Sequence, residues 1–246
     1  MSNNPVRRNC AKPHSCPTEM RMKVLAKAPL TRELTDEQRA ELDGHLSSWS
    51  WGEGDPILLA GEEATGSYML ASGRARITRD TADGREVTID IAAPGDIIGP
   101  VSTTPTAAAH SAWAMETCCA LFLPAAVLAE VVDAYPRVAL GIIRFQERQL
   151  RHYRERESAQ LSSTVEQRVA ATLLRLGKKL GATQPDGSRL LQVRLRRDDI
   201  AGMSSTTIES ASRAMSKMKK AGLIDSGREW VSLLDIDALT DLVEAP

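Results

Sequence analysis

The sequence predicts an α+β chain in which a strand-rich first half is joined by a long charged helix to a helical end. Three observations carry that expectation. Between residues 49 and 123, short runs such as Ile57-Leu58-Leu59, Ser67 to Leu70, Ala75 to Arg79 and Glu86 to Ile91 are separated by Ser72-Gly73, Asp83-Gly84 and Pro94-Gly95-Asp96, the spacing of a barrel or roll. After Pro136 a charged stretch repeats apolar residues at roughly heptad intervals. From Arg194 to Leu223 the chain reads as two short helices around a tight turn.

The 246 residues leave room for two domains of ordinary size. Hydrophobic residues make up 42% and aromatic ones 4%, which fits a core built from aliphatic side chains. No apolar run approaches the ~18 residues of a membrane span, and the first residues lack the apolar centre of a secretory signal. A cytoplasmic chain with reduced cysteines is therefore expected. Residues 1–28 carry Pro5, Pro13 and Pro17 without a helical period, and read as an extended arm. Thr35 with Gln38 makes a capping-box pattern ahead of Ala40, Leu42 and Leu46, which predicts a helix from Asp36 to about Leu46. The roll occupies 29–134 and continues through Ile97-Ile98 to one long last strand, Ala112 to Leu123.

The long helix spans 135–160. Its Val138, Ile142, Phe145 or Gln146, Gln149, His152 or Tyr153 and Arg156 form a seam able to face a copy of itself, so a homodimer is expected. In 161–246, Ser163 with Glu166 caps a helix whose Val169, Leu173, Leu174 and Leu176 pack under the two short helices, and Ala182 to Ser188 reads as a loop. Ile200 and Met203 give the next short helix an inner face. Gly202, Ser204 and Ser205 allow a sharp turn, and Thr206 or Thr207 caps the second helix. Ile208, Ala211, Met215 and Met218 form its buried stripe, and Gly222 ends it. The opposite face presents Glu209, Ser212, Arg213, Ser216, Lys217 and Lys220, a mixture of base-reading and phosphate-neutralising side chains. Arg194 to Arg228 holds eight Lys or Arg against four Asp or Glu in a chain of net charge −1, an asymmetry that points to nucleic acid. Leu223 to Asp225 and Trp230 to Leu234 read as strands around Ser226-Gly227, and Asp235 opens a last helix.

At Glu209, Ser212 and Arg213 the sequence resembles the Crp/Fnr family of bacterial transcription regulators, and matches the Glu-x-x-Ser-Arg motif of its Fnr branch. The likeness extends from about Leu30 to the end, with SYMLASGRARI and ADGREVTIDIAAPGDIIG standing at the most typical loops of a cyclic-nucleotide-binding jelly roll. The resemblance implies such a roll, a long dimerisation helix and a C-terminal winged helix-turn-helix. It also implies double-stranded DNA with TTGAT-like inverted half-sites and RNA polymerase as partners. Ser205, Thr206, Thr207, Glu209, Ser212, Arg213 and Lys217 are the DNA-contact candidates, and no constellation for catalysis accompanies them.

The ligand loop departs from the cyclic-AMP branch. Gly99-Pro100 stands where that branch has Gly-Glu, and His110-Ser111 where it has Arg-Ser. Two charge-assisted contacts, each worth roughly 1.5–3 kcal/mol, are then missing, which disfavours cyclic AMP unless a protonated His110 replaces the arginine. The Fnr branch instead holds an oxygen-labile iron-sulfur cluster with arm cysteines and one on the last strand. Here Cys10 and Cys16 lie in the arm, and Cys118 and Cys119 on that strand. The resemblance therefore implies a cluster, of the 4Fe-4S type, bound by Cys10, Cys16 and Cys119, with Cys118 or His14 as the remaining ligand. Cys118 and Cys119 alternate in direction, and Cys119 shares its face with Leu121. Other readings stay open: a thiol-disulfide switch, small core cysteines, haem at His110, or an unidentified small ligand.

Overall fold

Alternation of apolar residues sorts the strands of the first half into two sheets that share an interior. In the computed structural model, which describes residues 11–245, the order begins with β1 (Lys12–Pro13), α1 (Thr18–Lys27), α2 (Asp36–Asp43), β2 (Ser47–Trp51), β3 (Pro56–Leu58), β4 (Glu63–Ala64) and β5 (Gly66–Ser72). It continues with β6 (Ala75–Asp80), β7 (Glu86–Ala92), β8 (Ile97–Ile98), β9 (Thr106–Ala107), β10 (Ser111–Ala114), β11 (Cys118–Pro124), α3 (Ala125–Ala134) and α4 (Pro136–Ser162). One sheet has the order β1-β2-β11-β5-β8, the other β3-β10-β6-β7, and β4 pairs with β9.

β11 shows how the core is layered. Cys118 and Ala120 point into the space between the sheets with Trp51, Leu70, Ala75 and Ala114. Cys119, Leu121 and Leu123 point the other way, into a layer filled by Leu25 of α1, Leu42 of α2, Leu128 of α3 and Val138 of α4. Buried on both faces, the strand is almost continuously apolar, which is why its sequence shows little alternation.

Three expectations for this half need correction. Residues 18–27 of the expected extended arm are helical. Pro17 precedes the helix, Glu19 and Lys27 suit its two ends, and Val24 and Leu25 bury against the roll, a signal too short to stand out as a period. The helix after Thr35 has the expected capping box but stops at Asp43. The single strand from Ala112 to Leu123 is two strands in different sheets. The chain turns at Met115-Glu116-Thr117, where Glu116 pairs with Arg74 at 2.6 and 2.9 Å, and no glycine or proline announces it.

That turn faces Gly73, whose φ of +76° requires glycine. A Cβ there would lie 2.5 Å from the Thr117 carbonyl and 2.8 Å from Cys118 Sγ, whereas at Gly222, with φ +73°, it would meet nothing within 4 Å. Gly222→Ala should cost about 1 kcal/mol of left-handed strain, and Gly73→Ala about 3 kcal/mol because the clash adds to the strain. Urea midpoints of the two variants check the difference.

α4, 27 residues long, is apolar on two faces. Val138 is buried in the helix layer and Ile142 packs against it, so the expected seam through 138 and 142 closes the protein's own core. The outward stripe is Leu140, Ile143, Leu150, Tyr153 and Leu161, between 49% and 88% exposed, of which the expected seam held Tyr153 alone. Heptad spacing alone cannot separate two stripes one residue apart.

The chain divides into two compact units between residues 151 and 152 of α4, with Val87–Ile89 of β7 grouped with the second. The second contains α5 (Val165–Leu180), β12 (Ala182–Thr183), β13 (Arg189–Leu191), α6 (Arg197–Met203), α7 (Ile208–Lys220), β14 (Ile224–Ser226), β15 (Val231–Leu233) and α8 (Ile236–Glu244). α5 is capped by Thr164 with Gln167, one residue beyond the expected pair, and buries Val169, Leu173 and Leu176. The expected loop 182–188 begins with β12 and turns into β13, which extends the β14–β15 hairpin to a four-stranded sheet in the order β12-β13-β15-β14. This is a winged helix-turn-helix.

Candidate nucleic-acid interface and metal centre

The turn between α6 and α7 is fixed from below. Ser204 is buried and its hydroxyl donates to Thr172 Oγ1 of α5 at 2.9 Å, while Arg168 Nε donates to the Ser204 carbonyl at 3.1 Å. Ser205 has a φ of +50°, the one positive value at a non-glycine among the described residues, and Gln160 donates to its hydroxyl at 2.6 Å. Thr207 is the cap: its side chain accepts from the Ser210 amide at 3.2 Å. Ser205 and Thr207 are thus occupied in building the turn, and Thr206 lies half-buried between them.

α7 buries Ala211, Ala214, Met215 and Met218, while Ile208, expected in the stripe, stands at the first position of the helix and is 49% exposed. Glu209, Arg213, Ser216, Lys217 and Lys220 are exposed and Ser212 half-buried on one face. Ser212, Arg213, Ser216, Lys217 and Lys220 together line a shallow depression. Hydrogen bonds from its own amide and from Thr207, with Arg213 nearby, hold the Glu209 carboxyl below the usual carboxylate range, so it is an acceptor at neutral pH. Arg213 donates to the Ser210 hydroxyl at 3.2 Å and otherwise projects outward. Lys217 is held by Glu166 of α5 at 2.5 Å. Lys217→Ala should therefore weaken all DNA sequences alike, by less than about 1 kcal/mol, and lower the salt slope by about one. Titrations at several salt concentrations test this.

The second site joins β1 to the roll. Lys12 pairs with Ser50 of β2, and Ser50 pairs with Cys119 of β11. The His14 amide donates to the Ser48 carbonyl at 3.0 Å. This ladder brings one ligand atom each from His14, Cys16 and Cys119 within 4.8 Å of one another. Cys119 is buried, Cys16 half-buried and His14 exposed. Burial first, then the adjacent Cys16, pushes the Cys119 thiol up to about 12, while the Arg21 guanidinium opposes the rise. Arg21 donates to Asp43 Oδ1 at 2.7 Å and to the Asp43 and Leu46 carbonyls. No spacing in the sequence singles this arginine out.

Cys118 lies outside the group. Its thiol donates to the Arg74 carbonyl at 3.1 Å on the opposite face, and the register shift beside Cys119 in the β11–β5 pairing leaves it there. The idea that both strand cysteines reach one site is thereby corrected. Cys10 lies outside the described residues. At the expected ligand loop of the roll, the Ser111 hydroxyl is buried and accepts from the Ala60 amide at 3.0 Å. His110 has a buried, unpaired Nδ1, and burial, with Arg79 nearby, lowers its pKa, so the ring is neutral near pH 7.

Residues 49–135 match the cyclic nucleotide-binding domain, and residues 167–242 match the Crp-like helix-turn-helix domain. The chain belongs to the Crp/Fnr family. Within that family it is 24% identical to the anaerobic regulatory protein of Haemophilus influenzae over 186 residues, covering 76% of this chain and 72% of that protein. To the CRP-like cAMP-activated global transcriptional regulator of Mycobacterium tuberculosis it is 25% identical over 217 residues, covering 88% and 96%. The fold resembles that of FixK2 from Bradyrhizobium japonicum, with a TM-score of 0.72, 23% identity and coverage of 82% and 98%. Crp/Fnr proteins are DNA-binding transcription regulators that act as dimers, and this one is a regulator rather than an enzyme. No helix among the described residues is long and apolar enough to cross a membrane.

Proposed function

We propose that the chain is a cytoplasmic homodimeric regulator that reads TTGAT-like inverted half-sites with Glu209, Ser212 and Arg213, engages RNA polymerase, and couples DNA binding to oxygen or redox state through an iron-sulfur cluster. The observation that carries the sensing part is the convergence of His14, Cys16 and Cys119. Two thiolates and an imidazole are a donor set that suits iron. Cys10, six residues before Cys16, would supply the third thiolate, and His14 takes the remaining position because Cys118 faces the other layer. When bound, the cluster would supply an oxygen-labile tie between arm and roll. The chain's own residues do the rest: the β1–β2–β11 ladder positions His14 and Cys119, and Arg21 places positive charge beside the buried thiol. Cyclic AMP remains disfavoured, since a neutral His110 is no substitute for arginine.

Anaerobic reconstitution with iron and sulfide, followed by iron quantification, tests the sensing reading. Cys10→Ser, Cys16→Ser and Cys119→Ser should each lose the bound iron, and Cys118→Ser should keep it. Equal iron in wild type and Cys10→Ser would sink the cluster. The proximity of Cys16 and Cys119 favours one second reading: peroxide takes two electrons from the two thiols, a disulfide forms, and water leaves. Mass spectrometry after peroxide treatment would then find a Cys16–Cys119 bridge.

A further inference from the structure

We infer that His14, Cys16 and Cys119 also form a site for a single thiophilic divalent cation, zinc above all, in the cluster-free protein. The inference shares with the proposed function the idea that this corner binds metal, but it needs no sulfide and no iron.

Spacing carries it. Ligands of one tetrahedral zinc ion, with bonds of about 2.3 Å to sulfur and about 2.0–2.1 Å to nitrogen, stand about 3.5–3.8 Å apart. The three atoms here all lie within 4.8 Å of one another, so closure round one ion takes side-chain adjustments of the order of an ångström. In a 4Fe-4S cluster each thiolate sits on a different iron, which spreads the ligands over alternate corners of a cube rather than round a point. The donor chemistry agrees, since a sulfur, sulfur and imidazole set is soft enough to prefer zinc over magnesium or calcium.

The surroundings agree as well. Cys119 is locked in the helix layer, and the His14 backbone is pinned to Ser48 across β1–β2, so two ligands from distant parts of the sequence are held in place before metal arrives. The exposed His14 and half-buried Cys16 leave the solvent side open, which gives an entry path and room for water as a fourth ligand. Arg21, the one cation against the buried sulfur among the described residues, is engaged by Asp43 at 2.7 Å, so its charge is largely compensated. Zinc and the cluster would use the same ligands and exclude each other. Zinc would fasten the arm to the roll with a bond that oxygen does not break.

The test uses the full chain, reduced and stripped with chelator under nitrogen, and titrated with cobalt alone. Binding of one cobalt per chain, with the intense visible bands of four-coordinate cobalt and thiolate-to-cobalt charge transfer, is expected, and stoichiometric zinc should bleach both. His14→Ala and Cys16→Ser lie toward the surface and should fold. Each should weaken binding roughly tenfold or more, as should Cys119→Ser, while Cys118→Ser should titrate like wild type. A pale six-coordinate spectrum without charge transfer, or wild-type titration by both His14→Ala and Cys16→Ser, overturns the site. Cobalt bound tightly by a protein that takes up no iron with sulfide supports zinc and refutes the cluster, and the converse result refutes zinc alone.

Discussion

Replacing Ile143 with glutamate should convert the protein to monomers and lower its affinity for a two-half-site DNA by about 100- to 10,000-fold, the advantage that bivalent attachment normally confers. Ile143 is 62% exposed on the outward stripe of α4, so the monomer should fold normally. In a parallel pair related by a two-fold axis, the two new carboxylates would lie close together. Ile142→Glu makes the control. That side chain packs against the core layer with Val138, so the substitution should lower the unfolding midpoint rather than act on assembly alone. Sedimentation velocity of both variants decides the matter, and a dimeric Ile143→Glu protein would place the interface elsewhere.

Arg213→Ala has the next largest expected effect. The side chain is exposed on the reading face of α7, and its guanidinium fork matches the O6 and N7 acceptors of guanine. Its loss should cost about 1–3 kcal/mol on the cognate site and flatten discrimination at one base pair, leaving binding to unrelated DNA nearly unchanged. A panel of single-base variants of a TTGAT-like half-site shows this directly. Retention of the full preference would mean that another face reads the bases.

How far the sequence could be read depended on whether a residue's signal was local. The capping box at Thr35, the turn at Ser205, the cap at Thr207 and the glycine after α7 follow from chemistry within four residues, and all stand as expected. The opposite directions of Cys118 and Cys119 follow from the pleat alone. What stayed hidden depends on distant partners. α1 is a ten-residue helix whose stability comes from Val24 and Leu25 resting on the roll. The break between β10 and β11 is set by Arg74, forty-two residues from its partner Glu116. The choice between the two stripes of α4 is made by the layer that claims Val138. Arg21 became visible only through the three segments it joins.

The layer that holds Cys119 and receives Cys16 is the same one that buries Val138 and receives Ile142. The arm and α4, whose other side would meet the second subunit, are thus seated on the same packed side chains. Thermodynamic reciprocity then fixes a consequence. By whatever factor an occupied metal centre strengthens subunit association, association must strengthen the hold on the metal by the same factor. If such a centre forms, its equilibrium affinity for metal should be higher in concentrated protein, where the subunits are associated, than in dilute protein.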